Sequence, residues 1–397
     1  MNNSTKLFIK FDDSEISLIT GNIDDHNSFE LLEKLVLKSD SIIKNSITDL
    51  DRTTNLIKKN ILIIEQKVNY TFKDIIIILN NLEISFLNLC GFKKLNGSQI
   101  TKENITYILN SLKSHIDELE KNKKILHIFN SEYCLDKKKL DNLPIGLFGD
   151  LYSHELSFNM IKENDLKNLK TMFDTCNIKI KKIITESFVK GAIINNSNPS
   201  VDTFLHIQIS ENNCKIFYTE NSSIKFEEVF KFGSKMIEKD ISKVTSLNLE
   251  IVNKIIEDNL NMKKISDDEL ISHNYFIGQE YRKIKKNLIL EIAKARINEF
   301  AEILFYKNIN FKEFLNKVNF IFLEINDQKN FNCFQQTYTD IFSFNDKFEV
   351  KILKKPQLEK FIEAAFKITQ FGWKKEAIPQ TKETGSYISR FFKSLFA

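Results

Sequence analysis

LHIFNSEYCLDKKKLDNLPIGLFGDLYSHELSF, residues 126–158, is the stretch on which the fold turns. Its flanks, Ile125 to Phe129 and His154 to Met160, are short apolar runs with the character of β-strands. Between them, Ser131 to Asp150 holds one of only four prolines and two of only ten glycines in the chain, which predicts a loop of fixed geometry. Just upstream, Thr101 to Glu120 reads as a helix. Thr101 stands at the cap, Glu103 and Asn104 in the first turn, and Ile105, Ile108, Leu109, Leu112 and Ile116 along one face. Downstream, Glu163 to Cys176 reads as another helix and Ile178 to Ile184 as a strand.

Toward the N-terminus, residues 6–20 read as strand, turn at Asp12-Asp13, and strand. From Ser28 to Lys44 the apolar spacing becomes helical. Lys59 to Leu82 mixes extended runs, ILII at 61–64 and IIIIL at 75–79, so this part is α/β in character. Toward the C-terminus, residues 204–235 alternate strand and turn, and helices are expected over 288–304 and 359–373.

Composition places the chain among globular proteins: 397 residues with 42% hydrophobic and 28% charged side chains. No window of about eighteen uncharged apolar residues occurs, and the start, MNNSTKLFIKFDDSEIS, has no apolar leader core, so neither a membrane span nor secretion is expected. Cys90, Cys134, Cys176, Cys214 and Cys333 are far apart and lack CxxC spacing; they read as buried thiols of a reducing cytoplasm. The six histidines lack metal spacing, and no catalytic triad can be assembled. A net charge of +4 is too small to argue for nucleic acid. Its placement is uneven, because residues 351–397 hold ten Lys/Arg and four Asp/Glu, leaving −2 for the rest.

That basic end finishes in GSYISRFFKSLFA, 385–397. At about 100° per residue, Tyr387, Ile388, Phe391, Phe392, Leu395 and Phe396 share one side of a helix, and Arg390 and Lys393 lie on the other. A helix of about 18–20 Å cannot cross a hydrocarbon core of about 30 Å, but it can lie in the interface with its basic face among anionic headgroups. A polar stretch, Lys374 to Gly385, reads as its tether. Tyr387, Ile388, Arg390, Phe391, Phe392, Lys393, Leu395 and Phe396 are the expected membrane-binding residues.

The 126–158 stretch, with the helix and strand after it, resembles the actin-like bacterial cell-division protein family FtsA. Glu132-Tyr133, Asp136 and Pro144-Ile145-Gly146-Leu147-Phe148-Gly149 occupy the places of the family's Glu-Tyr, charged insert and Pro-x-Gly-x-x-Gly loop. The 204–235 segment resembles its second phosphate hairpin. The 288–304 helix resembles its nucleoside-side helix, with Glu291, Arg296 and Glu299 at charged positions, and 359–373 resembles its closing helix. The resemblance implies an α/β, actin-like (ribonuclease H-like) two-lobed fold with an FtsA-type extra subdomain and a C-terminal amphipathic helix. It divides the chain into first lobe 1–82, inserted subdomain 83–158, first lobe again 159–200, second lobe 201–233, partner-binding subdomain 234–319, second lobe again 320–349, closing helix 350–373, tether 374–385 and anchor 386–397. It further implies ATP and Mg²⁺ as ligands, FtsZ and other division proteins as partners, self-association into filaments, and a place on the cytoplasmic face of the inner membrane at the septum.

At the nucleotide the sequence departs from the family. Lys10, Asp12 and Asp13 stand where its Asp-x-Gly-Thr turn has Asp, Gly and Thr, with Ser14 following. Gln208, Ser210, Glu211, Asn212 and Asn213 replace the second turn's Asp-x-Gly-Gly-Gly-Thr. Ile325 and Asn326 replace a Gly-Gly pair on the nucleoside side, and no Gly-Gly or Gly-Thr pair occurs anywhere in the chain. Each lost glycine adds a Cβ, and Asp12, Asp13 and Glu211 add negative charge where a triphosphate would lie. Asp12, Asp13, Ser14, Glu211, Asn212, Asn213, Glu291, Arg296, Ile325 and Asn326 are therefore expected to form a vestigial site, without catalysis, bound cofactor or metal. Two other readings fit the same fold: a pilus-assembly type actin-like module that binds an inner-membrane peptide, and an active sugar- or acetate-kinase-like phosphotransferase.

Overall fold

A computed structural model describes residues 5–12, 15–24, 28–38, 42–43, 46–80, 82–258, 268–276, 278, 280–344 and 347–377. Asp13, Ser14 and the expected anchor residues 386–397 lie outside the described residues. The chain divides into two compact units, one made of Met1–Asp202, Glu220–Lys225 and Pro356–Ala397, the other of Thr203–Thr219 and Phe226–Lys355.

The first unit begins with β1 (Lys6–Phe11), β2 (Glu15–Ile23) and β3 (Phe29–Lys38), an antiparallel meander. A small ladder of β4 (Ile42–Ile43) and β5 (Ser46–Ile47) follows, then α1 (Leu50–Val68) and β6 (Asp74–Leu79), which pairs parallel to β1. Further along are β7 (Ile84–Lys94), α2 (Lys102–Leu119), β8 (Lys123–Leu135), β9 (Lys138–Leu140), β10 (Leu151–Lys162), α3 (Glu163–Thr175), β11 (Lys179–Thr185) and α4 (Glu186–Ser197). The main sheet runs β11-β6-β1-β2-β3. One face packs on α1 and α3 through Ile57, Ile61, Leu169 and Phe173. The other face packs on α4 through Phe188 and Val189.

Two stretches differ from the sequence expectation. Residues 29–38 form a strand, not a helix. Leu32 and Val36 are spaced like a helical stripe yet are both exposed, and the side chains of FELLEKLVLK alternate in burial with a period of two. Pairing along β2 outweighs the local spacing, and exposed Glu30, Lys34 and Lys38 keep this edge strand soluble. ILII at 61–64 lies inside α1, where Ile57, Ile61 and Ile64 share the buried face and Leu62 is exposed.

Strands β7, β8, β9 and β10 form a separate sheet covered by α2, which has Thr101 at its cap as expected, and Thr101 N–H donates to Asn104 Oδ1 at 2.8 Å. Gly91 permits the close approach, since a Cβ there would lie 2.4 Å from Ile108 Cγ2. The loop after β9 takes positive φ at Gly146, and Ser131 to Leu135 extends β8 instead of belonging to that loop.

The second unit repeats the topology of the main sheet. β12 (Phe204–Ile209), β13 (Cys214–Glu220) and β14 (Ser223–Phe230), whose hairpin tip Glu220–Lys225 is grouped with the first unit, make a meander, followed by α5 (Lys235–Thr245), α6 (Leu249–Asp258), α7 (Lys286–Ala301), β15 (Phe320–Ile325), α8 (Gln328–Phe342) and β16 (Glu349–Leu353). The order β14-β13-β12-β15-β16 matches β3-β2-β1-β6-β11, with β12 and β15 parallel as β1 and β6 are. Its core joins Leu205, Ile207, Ile216, Ile241, Ile297 and Phe300. β16 belongs to this unit, so the boundary before the closing helix falls at 355/356. That helix, α9 (Leu358–Phe371), returns to the first unit.

The last described strand, β17 (Glu376–Ala377), pairs with β8, so residues 376–377 are sheet and not tether. Its Glu376 is buried, 2.8 Å from His127 Nδ1 and 2.8 Å from Lys182 Nζ. The cysteines divide: Cys214 and Cys333 are buried, Cys134 and Cys176 partly so, and Cys90 is exposed, contrary to the expectation of five buried thiols. Among the described residues no helix is long and apolar enough to cross a membrane.

Full burial makes two histidines of this unit poor proton acceptors. Burial lowers the pKa of His127, against the opposing pull of Glu376, and lowers that of His154 to about 3. The unfolded chain takes up a proton on each near pH 6.5 and the folded chain only at lower pH, so their contribution to stability is complete above about pH 6.5 and falls as pH drops below it. Urea unfolding at pH 7.5 and pH 5 should show His154 alone costing about 2 kcal/mol at the lower pH. His154→Gln should flatten that slope; an unchanged slope would show that His154 titrates normally.

Candidate functional site

Two β-turns stand at equivalent places in the repeated topology, β1–β2 in the first unit and β12–β13 in the second. In the first, Asp12 N–H donates to Glu15 O at 2.9 Å and closes the turn. Asp12 Oδ1 accepts from Asn80 Nδ2 at 2.9 Å and pairs with Lys10 Nζ at 2.9 Å. Lys10 Nζ also lies 3.1 Å from Glu186 Oε2, and Glu186 Oε1 lies 3.1 Å from Lys190 Nζ. Glu186 opens α4, whose cap Thr185 accepts from Phe188 N–H. Burial alone would lower the pKa of the Lys10 ammonium, but Glu186 and Asp12 outweigh it and raise it above the usual lysine range. Asp12 is thus not the free carboxylate expected from sequence. It is one member of a charge-balanced chain, and obstruction, more than repulsion, is what it offers an anion.

In the second unit, Ser210 N–H donates to Asn213 O at 2.9 Å and closes the turn. The N-terminus of α5 is then turned onto it: Ser234 N–H donates to Ser210 O at 3.0 Å and Lys235 N–H to Glu211 O at 3.0 Å. An open helix N-terminus would suit a phosphate, but these two donors are already used. Gly233 lets the backbones meet, since a Cβ there would stand 2.2 Å from Ser210 O. Glu211 is exposed and pairs with Lys235 Nζ at 2.6 Å, which neutralises much of its charge. Asn326 N–H donates to Ile209 O at 2.8 Å and its Nδ2 to Ser210 Oγ at 3.0 Å, so Asn326 braces the turn. Behind it, Ser234 Oγ donates to Asp327 Oδ2 at 2.5 Å, and Asn330 Nδ2 bridges Asp327 and Glu238. Burial first, and Asp327 second, raise the Glu238 pKa.

The remaining expected residues scatter. Ile325 is buried in the second unit's core. Arg296 is bound to Asp240 of α5 and to Glu299 of its own helix, while Glu291 is exposed and meets only Asn287 at 3.4 Å among its described hydrogen bonds. Asn212 and Asn213 lie in the second turn. Sequence reasoning missed Asn80, Glu186, Lys190, Gly233, Ser234 and Asp327. Glu186 and Lys190, four apart at a helix start, and Gly233, one of ten glycines, carried the available signal.

These residues do not fit Mg·ATP. Among the described residues the N–H groups of Asp12, Ser210, Ser234 and Lys235 are spent on carbonyls, and Lys10 stands between Asp12 and Glu186. Among the described residues no group of three or more His, Cys, Asp or Glu is arranged to hold a metal ion.

No protein-family model matches the chain. The ATP-dependent zinc metalloprotease FtsH of Mycoplasmopsis pulmonis (strain UAB CTIP) is 33% identical over 91 residues, 22% of this chain. The match spans 12% of that protease's length. Among solved structures, the PilM-PilN type IV pilus biogenesis complex gives a TM-score of 0.53 at 8% identity, covering 92% of this chain and 98% of that one. MreB 5 of Spiroplasma citri bound to AMPPNP gives 0.44 at 12% identity, covering 92% and 96%. The fold is actin-like.

Gly233→Ala should destabilise the protein by on the order of 2–3 kcal/mol, because the clash is with a backbone oxygen that cannot rotate away. Chemical denaturation measures it, and a neutral substitution would mean that α5 does not press on the turn as described.

Proposed function

We propose that this chain is a peripheral membrane adaptor of bacterial cell division. It tethers FtsZ filaments to the inner membrane at the septum and recruits further division proteins, without acting as an enzyme. The observation that supports the reading is an actin-like fold in which the described groups at the β1–β2 and β12–β13 turns are bound by the chain itself, which suits a scaffold. The FtsA-like 126–158 stretch and the amphipathic sequence at 386–397 supply the direction. One short interfacial helix binds only marginally, so self-association into filaments would add avidity. A second reading is favoured by the likeness to the PilM-PilN complex: a cytoplasmic module that binds an inner-membrane peptide and reaches the membrane through it.

Co-sedimentation with anionic vesicles separates the two. The full chain should carry FtsZ into the pellet. A chain lacking 386–397, or carrying Phe392→Glu with Phe396→Glu, should leave FtsZ in the supernatant while keeping its circular dichroism. Full vesicle binding by the truncated chain would remove the anchor, and a full chain that stays off peptide-free vesicles but binds vesicles carrying an embedded inner-membrane peptide would favour the peptide-binding reading.

A further inference from the structure

Two buried or half-buried carboxylates of the first unit converge on one point, and a side chain fills it. Asp12 Oδ1 and Glu186 Oε2 lie 2.9 and 3.1 Å from Lys10 Nζ. The side chains of Glu186 and Lys10 are only 7% and 17% exposed. Lys190, 6% exposed, holds the other oxygen of Glu186 at 3.1 Å. Asn80 donates to Asp12 at 2.9 Å, and the Phe361 ring lies 5.8 Å from the Lys10 ammonium. The groups come from five places in the chain: β1, the β1–β2 turn, the end of β6, the start of α4 and α9. Among the described ion pairs of this cluster, Lys10 and Lys190 face Asp12 and Glu186.

Carboxylates removed from water stay ionised only beside a compensating cation. We infer that the Lys10 ammonium is the resident cation of this turn, occupying the position between Asp12 and Glu186 that a divalent metal would otherwise take. The position that the FtsA resemblance gives to the Asp of its Asp-x-Gly-Thr turn therefore carries the cation itself. On this inference the pairs Lys10–Asp12, Lys10–Glu186 and Lys190–Glu186 bring the turn and α4 together without a metal, and Asn80 adds the end of β6. This rests on the closed-turn part of the proposed function and extends it: the site has not merely lost ligands but has internalised the charge.

The inference makes removal of Lys10 a gain of metal response. Mg²⁺ and Mn²⁺ bind through one or two carboxylates while keeping several waters, which suits the space an ammonium and its methylene stem would vacate. The full chain is stripped with EDTA and titrated with MgCl₂ or MnCl₂ alone, with no nucleotide present. The wild-type unfolding midpoint should not move, and Mn²⁺ should remain free by electron paramagnetic resonance. Lys10→Ala should unfold at lower temperature, and millimolar Mn²⁺ or Mg²⁺ should restore several degrees while Mn²⁺ becomes bound. A wild-type protein stabilised equally by Mg²⁺, or a Lys10→Ala protein indifferent to both ions, would overturn the inference.

Should Lys10→Ala fail to fold, Lys10→Met combined with Glu186→Gln removes one charge of each sign from the cluster. That pair should be more stable than the sum of its single changes allows and should ignore both ions. Strict additivity would show that packing, not charge balance, holds the cluster, and would also overturn it. Because no nucleotide enters these titrations, their failure leaves the closed turns standing. A chain that bound nucleotide would refute the closed turns while leaving the ion response of Lys10→Ala to be read separately.

Discussion

The charge on Lys10 is the constraint around which the first unit is arranged. An ammonium projecting from the central strand of a sheet, 17% exposed, is tolerated only if acidic groups reach it. Asp12 reaches it from the turn and Glu186 from the first turn of α4. That requirement sets where α4 begins relative to β1 and draws Asn80, at the end of β6, onto the same carboxylate. Replacing one partner alone would leave an uncompensated charge in a site with little water, which is why the members act as a unit.

The second unit solves the same geometrical problem by a different route. Its main sheet has the same strand order, but its turn is braced by backbone: α5 gives its first N–H groups to the turn carbonyls, and Gly233 makes the contact possible. Ser234, Asp327 and Asn330 then tie α5 and α8 together behind the turn. In both units, groups that could have met a ligand meet the chain instead. The proposed scaffold role rests on this internal satisfaction of the described turn groups.

Much of this was legible in the sequence where local chemistry and tertiary demand agree. The α2 cap, the 74–79 strand and the alternation over 204–230 were readable because their residues leave few other choices. Residues 29–38 were not, because Leu32 and Val36 fit a helical stripe until β2 supplies an open edge. ILII at 61–64 was not, because a short apolar run is ambiguous between strand and buried helix. The substitutions at both turns were visible, but their meaning changed: Asp12 and Glu211 read as repulsive charges and prove to be paired. Partners such as Glu186, 176 residues from Lys10, can be found only once the chain is folded.

Titration of the purified full chain with Mg·ATP by isothermal calorimetry tests the closed turns most directly. The account predicts no binding heat at physiological ATP concentrations and no shift of the unfolding midpoint in the same mixtures. A dissociation constant in the micromolar range, about 8 kcal/mol of binding free energy, could not be reached without opening these turns and would contradict it.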